Sequence, residues 1–270
     1  MHNARCGMLK EFFNATRPLI FGHRGAAGLA PENTMPSFDC GVASGVDGIE
    51  LDVHLSADGV PVVNHDATLD RTTNASGPIT ARTAAELARV DAGHRFPAGD
   101  AFPFRGQGIG IPTLRDVLAR HRDVRVIIEM KMDEPSLGEA VAAEVRRASA
   151  VDRVCLAGYG ARSAAAARAA LPEAATSGCR PEVQWALYRS WAFWPVQGVP
   201  YGGYQIPEVV GRLRVVSPRF IRHAHQAGLR IQVWTVDVEA DARRLFAWGV
   251  DGLISNRPDV IVPVRDAVFL

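Results

Sequence analysis

The chain has 270 residues, 47% of them hydrophobic and 22% charged, with a formal net charge of +1. That length suits one α/β barrel of about 250 residues, and the composition is that of a soluble globular protein with ample core. A near-neutral balance gives no electrostatic case for a nucleic-acid partner. No apolar run of about 18 residues offers a membrane span, and the polar opening segment holds no signal h-region, so a cytoplasmic location is expected.

Residues 1–17 read as a polar lead-in that could close a barrel floor as a helix. A first strand spans about 18–23. A Gly/Ala turn and Glu32-Asn33-Thr34 then lead into a helix whose buried stripe is Met35, Phe38 and Val42, closed by Gly45. A second strand covers about 47–54, Asp58-Gly59 turns the chain, and a third covers about 60–64. Residues 66–112 break the strand–helix alternation, with one helix-like piece at Thr83–Val90, and are expected to lie over the catalytic face. Alternation resumes with a helix 114–121, strand 124–130, helix 136–149, strand 153–157, an alanine-rich helix 161–171 and a short strand 174–178. The last clear units are a strand 230–236, a helix 238–248 and a strand 252–255. This makes eight main staves, with weaker extras at 204–206 and 214–216. The expected fold is a single-domain TIM-type (β/α)8 barrel, residues 1–270, with a small insertion after strand three.

Charge concentrates at the ends of the apolar strands. They read Leu19-Ile20-Phe21-Gly22-His23-Arg24, Gly48-Ile49-Glu50-Leu51-Asp52, Val62-Val63-Asn64-His65-Asp66 and Ile127-Ile128-Glu129-Met130-Lys131. Alternate strand residues share a face, so Glu50 and Asp52 point together, as do Glu129 and Lys131. Buried carboxylates need compensation. A divalent cation held by Glu50, Asp52 and Glu129 is one solution, and salt bridges to Arg24 and Lys131 are the other. Oxygen ligands favour Mg²⁺ or Ca²⁺, and Mn²⁺ also fits. His23 and His65 are candidate general acid and base, and Arg24 and Lys131 candidate grips for an anionic phosphate. Lys131 could equally be a structural ion pair with Glu129 or Glu50. Glu32 and Asn33 are expected to orient His23 and Arg24 or to cap the first helix. The four cysteines, Cys6, Cys40, Cys155 and Cys179, have no metal-site spacing, and Cys155 reads as a small buried hydrophobe.

Taken in order, His23-Arg24-Gly25, Pro31-Glu32-Asn33-Thr34, Glu50-x-Asp52, His65-Asp66, Ile111-Pro112-Thr113-Leu114, Glu129-x-Lys131, Val233-Trp234-Thr235-Val236 and Gly249-Val250-Asp251-Gly252 resemble the signature of glycerophosphodiester phosphodiesterases over roughly residues 18–260. The resemblance implies a barrel enzyme that uses a divalent cation to hydrolyse glycerophosphodiesters to sn-glycerol 3-phosphate and an alcohol. It places His23 and His65 at catalytic positions and Trp234 against the glycerol part of the substrate, where barrel-core packing is the alternative role. A lysophospholipase D-type reaction and a non-catalytic glycerophosphodiester binder are the other readings. The aromatic stretch 185–204 is either packed on the barrel or a peripheral membrane contact.

Overall fold

The computed structural model describes residues 11–269. Eight parallel strands form a barrel with helices outside it. They are β1 (Leu19–Gly22), β2 (Gly48–Leu55), β4 (Arg125–Met130), β5 (Val154–Gly158), β6 (Ala175–Thr176), β7 (Gly203–Pro207), β10 (Arg230–Trp234) and β11 (Gly252–Ser255). Their order round the sheet is β6-β5-β4-β2-β1-β11-β10-β7. A parallel bridge from Ser177 to Gly203 joins the two ends.

The eight staves match the sequence reading in number but not in identity. Strand β3 (Pro61–Val63) runs antiparallel to β2, with Val53 opposite Val63 and Leu55 opposite Pro61, and is not a stave. The short Asp58-Gly59 turn is the physical reason, because a parallel return needs a crossover of a dozen residues or more. The eighth stave is β7, read from sequence only as a weak extra. The other extra becomes β9 (Leu213–Arg214), which pairs antiparallel with β8 (Val209–Val210) in a separate hairpin.

Two apolar layers hold the barrel. Outward residues such as Ile49, Leu51, Val53, Val126, Ile128 and Val233 pack against the helices. Leu19, Phe21, Ile127, Cys155, Ala175 and Ile254 fill the interior, with Phe12 and Phe13 from the lead-in packed among them. The part of the lead-in before Glu11, Cys6 included, lies outside the described residues. Cys155 is fully buried, as expected of a small hydrophobe.

The helices follow local signals. In α1 (Met35–Ala43) Phe38 is buried and Met35 and Val42 pack beside it. The short α2 (Ala84–Leu87) and α3 (Leu114–Arg120) each start with a capping box, Thr83 with Glu86 and Thr113 with Asp116. Further round come α4 (Pro135–Arg147), α5 (Ala161–Ala170), α6 (Arg180–Trp191), α7 (Pro218–Gln226), α8 (Glu239–Trp248) and α9 (Pro258–Phe269). Residues of the 66–112 segment have a small core of their own, formed by Leu69, Ile79, Leu87, Val90 and Ala92 with Val62 and Ile111.

Candidate active site

In β1, β2 and β4 the side-chain period of two carries the interior face upward to charge. Phe21 is followed by His23, Gly48 by Glu50 and Asp52, and Ile127 by Glu129 and Lys131. Gly48 is required here, since a Cβ at that position would lie 2.6 Å from the Phe21 ring. Midway up, Gln205 donates to Gln232 at 2.6 Å. Charge therefore collects at the carboxyl ends of the strands, the functional end of this architecture.

Glu50, Asp52 and Glu129 each offer an oxygen within 4.8 Å of the others. Glu50 and Asp52 are buried, and β2–β4 pairing sets Asp52 directly beside Glu129. Burial, reinforced by Asp52 and Glu129, pushes the Glu50 carboxyl well above its ordinary range. Burial and Asp52 raise Glu129 as well. Asp52 goes the other way. Burial would raise it, but Lys131 and Arg24 outweigh that and hold it below the usual range. Lys131 Nζ lies 3.3 Å from Asp52 and 3.5 Å from Glu129, so the ion pair open in the sequence is made to those two carboxylates rather than to Glu50.

Asn33 clamps Asp52, donating from Nδ2 at 2.8 Å and accepting the Asp52 N–H at 3.3 Å. Its backbone N–H does meet the Arg24 carbonyl at 3.0 Å, but the side chain serves Asp52 and neither His23 nor the helix cap. The N-cap of α1 is Thr34, which makes no side-chain capping bond. Glu32 does orient Arg24, at 2.7 Å. Arg24 lies in the left-handed region at φ 50°, its N–H donates to Glu50 at 2.9 Å, and its buried Nε lies 3.4 Å from Asp52 without forming a hydrogen bond. Such strained backbone persists where the surroundings over-determine it, as at functional sites.

The histidines arrive by different routes. His23 continues β1. His65 is brought back toward Asp52 by the antiparallel β3, with the Asn64 N–H bonded to the Asp52 carbonyl at 3.0 Å. Each ring is fixed through Nδ1. Asp237 can only accept, so its 2.8 Å bond from Asn256 Nδ2 turns Asn256 Oδ1 toward His23, whose Nδ1–H must donate to it at 2.7 Å. Asp237 also accepts the Asn256 N–H at 2.7 Å and the Ser255 hydroxyl at 2.9 Å. Asp66 accepts from His65 Nδ1 at 2.6 Å. In both rings Nε2 is thus the nitrogen outside these bonds. Burial, then Arg24, lowers the pKa of His23. Arg71 and His65 overcome burial to bring Asp66 down to about 2, so it stays anionic. His54 is buried and donates from Nε2 to the His65 carbonyl at 3.1 Å, a structural contact.

Sequence reasoning missed three of these residues. Asn256 and Asp237 each follow a stave's carboxyl end, which was the available signal. Arg71 belongs to the 66–112 segment and had none. It binds Asp66 at 2.6 and 3.2 Å and Glu32 at 2.7 and 2.8 Å, linking the carboxylate on His65 to the one on Arg24. Arg71→Ala should therefore lower kcat and raise KM together, reducing kcat/KM by about tenfold, the scale of one charge-assisted hydrogen bond. Steady-state kinetics beside a thermal melt checks this, and an unchanged kcat would limit Arg71 to a structural tie.

Trp234 ends β10 on the inward-facing register and is 36% exposed, so it lines the mouth rather than the packed barrel core. The aromatic stretch divides. Tyr201 and Tyr204 are buried, while Trp185, Tyr188, Trp191, Phe193 and Trp194 are exposed on α6 and the connection after it.

The Glycerophosphoryl diester phosphodiesterase family matches residues 23–260. The Bacillus subtilis (strain 168) protein YhdW is 35% identical over 253 residues, covering 90% of this chain and 96% of its own length. A glycerophosphodiester phosphodiesterase from Agrobacterium tumefaciens str. C58 superposes with a TM-score of 0.73 at 31% identity, covering 91% of this chain and 99% of that one. An Oleispira antarctica phosphodiesterase, solved in complex with its product sn-glycerol-3-phosphate, has a TM-score of 0.75 at 25% identity, covering 93% and 97%. With the family match spanning most of the sequence, the chain belongs to the glycerophosphoryl diester phosphodiesterase family and is a phosphoric diester hydrolase.

Proposed function

We propose that the protein hydrolyses glycerophosphodiesters to sn-glycerol 3-phosphate and an alcohol, with a divalent cation at Glu50, Asp52 and Glu129 and proton transfer by His23 and His65. The observation that carries this reading is the pair of imidazoles, each fixed at Nδ1 by an acceptor, beside a buried carboxylate triad. The product complex of the Oleispira antarctica neighbour agrees with it.

The donor set fits a hard cation. Three carboxylates converge, two of them with carboxyl groups held up by burial and mutual repulsion, and all offer oxygen, which suits Mg²⁺ or Ca²⁺ and accommodates Mn²⁺. When bound, such an ion supplies Lewis-acid stabilisation of charge developing on the phosphoryl group. Arg24 and Lys131 would bind non-bridging oxygens, and Trp234 at the mouth would pack against the glycerol. His23, kept neutral by burial, is suited to take a proton from the nucleophile. His65, its Nδ1 held by Asp66, keeps Nε2 for the leaving alcohol and is suited to protonate it. The nucleophile is water or the glycerol 2-hydroxyl by way of a cyclic phosphate. A substrate lacking that hydroxyl separates them, since retained turnover rules out an obligatory cyclic intermediate.

The test is glycerol 3-phosphate release from glycerophosphocholine by chelator-treated protein, with Mg²⁺, Ca²⁺ or Mn²⁺ added back. Metal-restored turnover is expected, and none with any ion would remove the reading. A second reading, lysophospholipase D-type cleavage of lysophospholipids, is favoured by exposed apolar side chains at the carboxyl-end rim, Val209, Val210, Leu213, Trp234 and Val238. Comparing micellar lysophosphatidylcholine with soluble glycerophosphocholine separates the two.

A further inference from the structure

The β8–β9 hairpin begins two residues after the end of β7, whose last residue, Pro207, is in register with Trp234. It therefore rises from the catalytic rim beside the mouth. Val209 pairs with Arg214 and Val210 with Leu213, so one face carries the first pair and the other face the second. The Arg214 face is anchored. Its guanidinium binds Glu208 at 2.7 Å and lies 5.6 Å from the Trp248 ring, and Glu208 is held in turn by Arg244 at 2.8 Å.

The other face is bare. Val210 is 54% exposed and Leu213 is 42% exposed, and both flank the turn that carries Arg212. Among the described residues Arg212 is exposed and has no carboxylate within 4.0 Å. A two-stranded hairpin is marginal on its own in water, and exposed edges are normally blunted by charge or proline rather than tipped with aliphatic pairs. Two aliphatic side chains about an unpaired guanidinium match the boundary between phosphate headgroups and acyl chains, where the apolar groups enter and the cation stays with the phosphates.

We propose that residues 209–214 form an interfacial docking element that seats the mouth of the barrel on an anionic lipid surface, with Val238 and Trp234 on the same rim. The proposal takes from the functional reading only that substrate enters at this mouth. It also moves the lipid contact away from 185–204. There three of the five exposed rings are engaged by guanidinium groups, Trp185 and Trp194 by Arg189 at 5.7 and 5.9 Å and Phe193 by Arg219 at 4.8 Å, and Tyr188 and Trp191 pack on each other at 5.6 Å. They belong to the outer helix layer, and docking through it would turn the mouth sideways to the membrane.

Sedimentation of the full chain with vesicles of phosphatidylcholine, alone or mixed with phosphatidylglycerol, tests this. Wild type should bind the mixed vesicles, more weakly as salt rises. Val210→Asp with Leu213→Asp should cut that binding by about tenfold or more, and Arg212→Ala should remove much of the preference for the anionic lipid. Both variants should turn over soluble glycerophosphocholine at the wild-type rate, which also shows that they are folded. Absence of wild-type binding to mixed vesicles would overturn the proposal. So would binding lost in Trp185→Ala with Phe193→Ser but kept in the hairpin variant. A wild-type dimer that the hairpin variant dissociates would also overturn it, by making a second copy the occupant. Vesicle binding without glycerophosphocholine turnover would remove the functional reading and leave the docking surface standing.

Discussion

Replacing either His23 or His65 with alanine should lower kcat on glycerophosphocholine by about 10²- to 10⁴-fold, the range for losing a positioned acid or base. The fold should survive, because both rings lie at the carboxyl-end rim and neither belongs to the apolar clusters. The two variants should part on leaving-group dependence. A nitrophenyl ester of glycerol 3-phosphate releases a phenolate that needs no proton, so His65→Ala should recover most of its rate on it while His23→Ala should not. Recovery by His23→Ala alone would exchange the roles, and recovery by neither would mean that leaving-group protonation does not limit the rate. The acidic limb of kcat/KM should lie below pH 6.5. Burial, followed by Arg24, lowers the His23 pKa from that ordinary value, and a nearby dication would lower it further. Asp237→Ala should produce a smaller loss, since Asn256 would be free to turn its amide and withdraw the acceptor from Nδ1.

What the sequence could reveal was what alternates or follows in a fixed order. Glu50, Asp52, Glu129 and Lys131 could be read as one inward-facing group because the strand period of two is rigid, and the structure brings the three carboxylates within 4.8 Å of one another with Lys131 paired to Asp52 and Glu129. Loop geometry and non-local hydrogen bonds were not legible. Arg71 meets Glu32 across 39 positions and His23 meets Asn256 across 233, separations that leave no periodic trace. Two errors had a readable cause. Strand β3 was counted as a stave, although its tight turn from β2 allows only an antiparallel return. Strand β7 was underrated because Gln205 and Pro207 interrupt its apolar pattern, yet Tyr204 and Ile206 still alternate toward the helix layer. Helix α7 carried a plain start signal in Ser217-Pro218, with the serine accepting the Phe220 N–H at 3.2 Å, but its charged face masked the stripe of Phe220, Ile221 and Ala224.

Removing the metal should make the fold pH-sensitive in a direction set by the carboxylates. Glu50 and Glu129 have pKa values raised above the ordinary 4.5 by burial first and by neighbouring carboxylates next. A group with a raised folded-state pKa contributes stability that is complete below its unfolded pKa and disappears as pH climbs through the folded value. The chelated protein should therefore lose stability as pH rises above the ordinary carboxylate value of 4.5. Asp52 does not offset this, because its lowered pKa confines its own change to more acidic solution. A dication removes the repulsion and displaces the protons, so Mg²⁺, Ca²⁺ or Mn²⁺ should raise the melting temperature more at pH 8 than at pH 5. At about 100 times the dissociation constant the gain is about 2.7 kcal/mol, or about 5–10 °C for a chain of this size. Glu50→Gln deletes one ligand charge and one repulsive charge together. Without metal at pH 8 it should melt above the wild type, while its metal-induced shift should shrink and its activity should return in part only with excess metal. An equal metal-induced shift at both pH values, or a Glu50→Gln protein that keeps the whole shift, would take the cation away from this triad.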